Sequence, residues 1–288
     1  MTRRVGLDVG GTNIKRVVLE DEIVVDRESE PTRSEDGPAA VLDRLVALAR
    51  EADAAEVGVA FPGLFDAEGR GLLFPNLDGD WKGRPIREPL SRGLGLPVAL
   101  VNDGHAFALA EARVGAAGGA PNVICIVCGT GIGGGLVVGG RLHLGVDDRA
   151  GEVGHHTVVL DGPPCNCGNH GCLELYAGSR AIARAAGRPS FDATVAAART
   201  GDDQAVAAIT RAGELIGVAI ANLTIFVAPE RVVVGGGVAE AGELLFDPLR
   251  AELQRRAANV APLEHIELVR ATLGPDAGAI GAALFAAG

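Results

Sequence analysis

"RVGLDVGGTNIKRVVLE", residues 4–20, is the stretch that decides the fold. Its flanks are apolar and β-branched, and its middle is glycine. Residues 4–10 read as one strand and residues 13–20 as the next, joined by a turn at Gly10-Gly11. A third run, 22–29, completes a meander. Beyond it, residues 39–52 place Val41, Leu45 and Leu48 at helical spacing. EVGVAF (56–61) is a strand that runs into Pro62-Gly63. PVALV (97–101) is another, ending at Asn102-Asp103, and residues 105–113 read as a helix. A strand–turn–strand unit followed by alternating strands and helices is an α/β pattern.

The pattern returns in the second half. NVICIVCG (122–129) is a strand, GTGIGGG (129–135) a glycine turn and GLVVGGRL (135–142) the returning strand. A long helical stretch, 204–227, is closed by Pro229. Then come a strand at RVVVGG (231–236), a helix at 240–256, a strand at HIELVRA (265–271) and a small-residue helix at 276–287. The layout suggests two related α/β halves, although their residues match poorly.

Composition narrows the class. Of 288 residues, 48% are hydrophobic, which is a globular share, and only 3% are aromatic, so the core is aliphatic. The net charge of −11, without a block of Lys and Arg, argues against a nucleic-acid partner. No signal peptide is legible in MTRRVGLDVGG, and no uninterrupted apolar run reaches the ~18 residues that span a bilayer. No membrane association is expected, and the cytoplasm is the expected compartment. There, clustered cysteines bind metal more often than they pair as disulfides.

Three glycine turns could hold phosphate. The first is Asp8-Val9-Gly10-Gly11-Thr12-Asn13-Ile14-Lys15, the second Gly129 to Gly135 with Thr130, the third Gly235-Gly236-Gly237. Glycines can take positive φ and leave several N–H groups free to converge on an oxygen. Thr12 and Thr130 add hydroxyls, Lys15 adds a cation, and Asp8 suits a hydrated Mg²⁺. Taken alone, each turn reads first as a plain hairpin; two Gly-Thr hairpins and a third turn after a separate strand together favour phosphate. No GKS or GKT follows, so none is a Walker loop, and they join strand to strand, unlike a dinucleotide fingerprint.

Asp103, at the end of a strand, can accept the proton of an attacking hydroxyl, with Asn102 orienting it. The rival reading of this pair is a helix cap. Cys165, Cys167 and Cys172, with an imidazole from His155, His156 or His170, can complete a closed tetrahedral metal site, and such sites are structural. Cys125 and Cys128 lie three apart on a strand and face opposite ways, so they read as buried small hydrophobes. His105 and His143 read as helix-surface and loop residues, and His265 receives no role. Trp81 reads as the anchor of its loop.

With these residues in view, the chain resembles the ROK family of sugar kinases and repressors. The resemblance is carried by DVGGTNIK (8–15), FPGLFD (61–66), NDGHAFALAE (102–111), GTGIGGG (129–135), GEVGH (151–155), CNCGNHGCLE (165–174) and VVVGGGV (232–238), in that order and nearly end to end. It implies a two-lobed, actin-like or hexokinase-like ATPase fold, made of duplicated RNase H-like α/β domains with an inserted zinc loop. On this reading a small lobe spans 1–112 and is joined by the helix at 276–288. A larger lobe spans 113–275 and carries the zinc loop at 155–174.

The resemblance also assigns roles. Asp8, Gly10, Gly11, Thr12 and Lys15 form the first phosphate site. Thr130, Gly131 and Gly133 form the second, and Gly235, Gly236 and Gly237 lie near the adenosine. Asp103 is the general base. Asn76, Asn102, Glu152, His155 and Glu174 contact the sugar. His155, Cys165, Cys167 and Cys172 hold a structural Zn²⁺. The implied activity is transfer of phosphate from Mg-ATP to the 6-hydroxyl of a hexose, glucose first. Kinases of fructose, N-acetylmannosamine or allose and polyphosphate-dependent glucokinase share the motifs. The expected partners are a sugar, a nucleotide and further copies of the chain in a dimer or tetramer. A sugar-sensing regulator is the remote alternative. The first phosphate motif begins at residue 8, which leaves no room for the DNA-binding domain that precedes the kinase-like body in the family's repressors. Three thiolates and no HExxH oppose a zinc hydrolase.

Overall fold

Val9 and Ile14 pair across the turn at Gly10–Thr12, so β1 (Arg3–Val9) and β2 (Asn13–Glu20) form the hairpin that the opening motif predicts. The computed structural model describes residues 2–74, 77–257 and 266–288. The chain divides into two units. One comprises Met1–Gly115, Leu142–Ala150 and Leu273–Gly288, the other Ala116–Arg141 and Gly151–Thr272.

In the first unit β3 (Ile23–Pro31) extends the hairpin, and α1 (Pro38–Glu51) leads to β4 (Glu56–Phe61). A small ribbon, β5 (Leu64–Phe65) and β6 (Gly71–Leu73), precedes α2 (Arg87–Leu94), β7 (Val98–Asn102) and α3 (Asp103–Arg113). The sheet order is β3-β2-β1-β4-β7, antiparallel through the meander and parallel from β1 onward. Leu7, Ile14, Leu45, Val59, Phe61 and Leu90 lie in its core. Trp81 packs against Phe61 and Phe74, with centroids 5.8 and 5.6 Å away, and donates from Nε1 to Asp78 O at 3.0 Å. Asn76, the sugar contact expected nearby, lies outside the described residues, as does His265.

The second unit repeats the order. β8 (Val123–Cys128) pairs antiparallel with β9 (Ile132–Val138), and β10 (Arg141–His143) follows, beginning at the last residue of this unit's first segment. α4 (Glu174–Ala177), α5 (Ser179–Ala185), α6 (Phe191–Arg199) and α7 (Asp203–Val227) precede β11 (Arg231–Gly235), α8 (Glu243–Ala257) and β12 (Glu267–Arg270). The sheet reads β10-β9-β8-β11-β12, with β11 parallel to both β8 and β12. One strand order in both sheets supports the duplicated layout.

Two expectations change. The glycines from 132 onward are strand and not turn: Gly133, Gly134 and Gly135 pair with Val127, Ile126 and Cys125. Backbone pairing is indifferent to the missing side chains, and a Cβ at Gly134 would come within 2.7 Å of Cys125 O and 2.9 Å of Val153. The helix expected over 240–256 starts at Glu243, because Gly242 sits at φ 69° and ends a 3-10 turn, Gly237–Ala241, before it. α7 is, among the described residues, the one helix long and apolar enough by length and composition to cross a membrane. Its apolar side is spent on the core: Ile209, Leu215, Ile216 and Ile220 are buried, and the Asp202 carboxylate caps its start through Ala205 N–H.

The chain ends in α9 (Ala277–Phe285), which lies flat on the first sheet. A Cβ at Gly6 would overlap Ala279 O, and one at Gly58 would overlap Ala282 O. Gly6 and Gly58 are register partners on β1 and β4, so they form one flat spot under the helix. Gly281 does the same toward Ala106 O on α3. Gly58→Ala should therefore destabilise this unit by about 3 kcal/mol or more, the upper range for overpacking, in urea unfolding of the full chain. A loss below about 1 kcal/mol would mean that the helix can lift off without penalty.

Candidate active site

In the first unit the C-terminal ends of β1, β4 and β7 open at one edge of the sheet. Asp8 is level with Ala60, Ala60 with Val101, and Phe61 with Asn102. Gly10–Thr12, Pro62–Gly63 and Asn102–Asp103 are thereby collected at that edge. The Gly10 turn closes on itself through Gly10 N–H to Asn13 O at 2.9 Å. Thr32, a residue with no sequence signal, latches it from outside. Its N–H donates to Thr12 O at 2.8 Å and its hydroxyl to Gly10 O at 2.6 Å. Gly11 and Thr12 stay exposed.

Asp8 and Lys15 are direct cross-strand partners. The Lys15 ammonium donates to Pro275 O at 2.7 Å. The Asp8 carboxyl faces Gly278 in the first turn of α9, where a Cβ would come within 2.6 Å of it. Burial raises its pKa from 3.8 to about 6, and Lys15 opposes the rise.

Asn102 and Asp103 show the helix-cap reading at work. Asn102 Oδ1 accepts from the N–H groups of Gly104 (2.8 Å) and His105 (3.4 Å), and its amide donates to Gly63 O at 3.1 Å. The helix starts at 103 because of this cap, two residues earlier than expected. Asp103 becomes the first helical residue, with Oδ1 accepting from Gly104 N–H at 2.9 Å. His105 corrects the expectation of a surface residue. It is 1% exposed, facing inward, with Nε2 2.7 Å from Ala150 O. Burial pushes its pKa down, against the pull of the Ala150 carbonyl and of Asp148.

In the second unit two turns share an edge. The turn after β8 closes by Gly129 N–H to Gly131 O at 2.9 Å, and Thr130 is exposed. Gly236, after β11, holds φ 84°, and a Cβ there would overlap Cys128 O, so no other residue fits the approach. Gly235 ends the strand, and Gly237 is exposed with open space around it. Gly133 lies inside β9, so the turn proper ends at Gly131.

Glu174, expected only to contact ligand, also holds the turn. Its Oε2 accepts from Ile132 N–H at 2.9 Å, and a Cβ on Gly131 would overlap that oxygen. Ser179 N–H donates to Gly129 O at 2.8 Å from the start of α5. Glu152 feels the charge of both His155 and Glu174. The pKa of Glu152 is raised first by burial and further by Glu174, while His155 lowers it.

His155, Cys165, Cys167 and Cys172 place one ligand atom each within 4.8 Å of one another. Cys167 Sγ is 3.7 Å from Cys172 Sγ, and Cys165 Sγ is 3.8 Å from His155 Nδ1. The edge of a tetrahedron with ~2.3 Å zinc–sulfur bonds is about 3.8 Å, so the donor set fits zinc in number, type and spacing. His155 enters through Nδ1. Its neighbour His156 faces away, with Nε2 3.2 Å from the Asn222 amide, and His170 is not in the cluster. Cys125 and Cys128 are fully buried, and burial pushes the Cys128 thiol up to about 12.

The Asp8 environment makes a stability prediction. An acid with a raised native pKa is neutral in both states below about pH 4, and its native charge is penalised above about pH 6. Asp8→Asn should match the parent's Tm near pH 4, gain on it between pH 4 and 6, and keep the gain above. A Tm difference independent of pH would remove the buried-acid assignment.

The comparisons bear on the whole chain. The family model described as "ROK family" matches residues 4–288. A glucokinase of Halalkalibacterium halodurans is 35% identical, with 96% of this chain and 92% of the relative covered. The crystal structure of a ROK hexokinase from Thermus thermophilus superposes with a TM-score of 0.86 at 36% identity, covering 99% of this chain and 98% of that one. A ROK family glucokinase from Streptomyces griseus, solved with glucose and AMPPNP, gives 0.84 at 34% identity, with 99% of each chain covered.

Proposed function

The chain belongs to the ROK family, and from that premise we propose that it is an ATP-dependent hexose kinase acting on the 6-hydroxyl, with glucose as its preferred sugar. The observation that carries the reading is the pairing of phosphate-type turns with an acid at a strand end: Gly10–Thr12 and Asp103 at one sheet edge, Gly129–Gly131 and Gly236–Gly237 at the other. The names and identities of the relatives support the sugar and the donor.

Asp103 accepts the proton of the 6-hydroxyl as that oxygen attacks the γ-phosphorus of Mg-ATP. The carboxylate sits at a helix start, where the N-terminal N–H groups favour its charge, so its contribution is placement. Little covalent chemistry falls to the protein in phosphoryl transfer. Backbone N–H groups of the glycine turns and the Lys15 ammonium meet the phosphate charge, Thr12 and Thr130 add hydroxyls, and Asp8 orients the hydrated magnesium that arrives with the nucleotide. Gly235–Gly237 border the adenosine. Asn76, Asn102, Glu152 and Glu174 receive sugar hydroxyls, and His155 offers Nε2 to the sugar.

His155, Cys165, Cys167 and Cys172 would hold zinc, which supplies rigidity there and no reacting group. The cluster ends at Cys172, two residues before Glu174, so ordering the loop also orders that carboxylate. The acidic balance of −11 supports small-molecule partners over nucleic acid. A cytoplasmic enzyme that assembles with copies of itself completes the proposal.

Coupled ADP release with Mg-ATP against glucose, mannose, fructose, N-acetylmannosamine and N-acetylglucosamine tests the reading. A preference for glucose is expected, and silence on every sugar with either ATP or polyphosphate as donor refutes it. Asp103→Asn should lower kcat at least about a hundredfold while sugar binding by calorimetry stays within a fewfold. Near-normal turnover in that variant would defeat the base. Cys165→Ser should lose bound zinc, measured by elemental analysis, and raise the sugar KM severalfold. An unchanged KM in zinc-free protein would break the link between loop and sugar.

A further inference from the structure

α3 carries two fully buried polar side chains that the proposed chemistry does not use, His105 and Glu111. The chain passes between the two units after Gly115, Arg141, Ala150 and Thr272. Three of those four places come back to these side chains. His105 Nε2 lies 2.7 Å from Ala150 O, the last residue before one crossing. Glu111 Oε1 accepts from Leu273 N–H at 2.9 Å, the first residue after another. Gly115, the last before a third, lies so close to Glu111 that a Cβ there would overlap Oε2 and come within 2.7 Å of Glu111 Cα.

The segment Leu142–Ala150 needs such a hold. Gly145, Asp147 and Asp148 all take positive φ, at 71°, 53° and 54°. Two successive non-glycine residues in that region persist only when their surroundings over-determine them. Ala150 supplies the hold with both backbone groups: its N–H donates to Leu144 O at 2.9 Å, and its carbonyl faces His105. For that carbonyl to accept, the proton must sit on Nε2, which leaves Nδ1 bare and buried with no hydrogen-bond partner among the described residues. A helix that only had to pack would place an apolar side chain there.

We propose that His105 and Glu111 are positioning residues for phosphoryl transfer, fixing the backbone at three crossings to the helix whose first residue is Asp103. The proposal rests on the reading of Asp103 as the base. It is tested in the full chain with His105→Leu, His105→Gln and Gly115→Ala. His105→Leu should lower kcat about tenfold to a hundredfold, the scale set by a small misplacement of reacting groups, with the sugar Kd within about twofold. His105→Gln, whose Nε2 reaches the same carbonyl, should restore most of that kcat. Gly115→Ala displaces the Glu111 carboxylate, so it should lower kcat likewise and speed hydrogen exchange at the Leu273 amide. A kcat for His105→Leu within about twofold of the parent overturns the proposal. So does a glutamine variant no better than leucine, a kcat loss that comes with lost sugar binding, or unchanged exchange at Leu273 in Gly115→Ala. If the parent phosphorylates no sugar, the kinase reading has failed. Exchange at Leu273 in Gly115→Ala and at Ala150, whose N–H donates to Leu144 O, in His105→Leu then decides whether these side chains hold the crossings, and no change at either amide overturns that too.

Discussion

Backbone-to-backbone contact between α9 and the first sheet is the constraint on which that unit depends. Gly6 and Gly58 leave no side chain under the helix, so Ala279 O and Ala282 O rest directly over β1 and β4. The same approach carries the start of α9 onto the Asp8 carboxyl at Gly278 and brings Pro275 O to the Lys15 ammonium. The surroundings of the first turn are thus set by the last residues of the chain. The partial burial of Asp8 follows from that packing, and so does its raised pKa. A residue that reads as a magnesium orienter also reports how tightly the terminal helix is seated.

The second unit solves the same problem with a side chain. Its turn has no acid in the position that Asp8 takes in the first. Glu174, from a later helix, accepts from Ile132 N–H and fills the space that the missing Cβ of Gly131 leaves. Cys172 and Leu173, the two residues before it, are both fully buried. Cys172 is held by the cysteine cluster, so the clustered ligands, the buried leucine and the carboxylate form one continuous piece of chain ending on a glycine turn. A metal in this loop would need no open coordination position to matter, because its effect would travel through Glu174 to the Ile132 N–H that follows the turn.

Much of this was legible in the sequence. Strands β1, β2, β4, β7, β8 and β11 announce themselves as short β-branched runs between glycines, and the cysteine spacing names a ligand set. What was not legible depends on tertiary neighbours. Gly133 read as turn because glycine is the turn residue, yet β8 continues the ladder through it. His105 read as surface because α3 shows weak amphipathic patterning; most of its residues are buried small side chains, and the helix is covered on more than one side. Thr32 lies in no motif, and its latch on the first turn exists only because β3 ends beside Thr12. α2 and α4 to α6 are short and begin without strong start signals in most cases, so propensity alone could not set them apart from loops. Asn102 was ambiguous between cap and ligand contact, and the cap uses only part of its amide.

The distribution of charge in the two units argues for how the donor is met. Each sheet edge carries acids beside its glycine turn: Asp8 and Asp103 in one unit, Glu152 and Glu174 in the other. The cation that sequence analysis assigned to phosphate is Lys15, and its ammonium is engaged by Pro275 O and faces Asp8. A bare polyanion brought to such groups would be repelled more than attracted. Backbone N–H groups can offset part of that repulsion, since oriented amides act as fixed partial positive charges. The rest has to come from charge that travels with the ligand. A triphosphate that arrives with magnesium would meet this requirement, because the metal would turn Asp8 from a repelling neighbour into a partner and make the acidic edge part of the proposed binding surface.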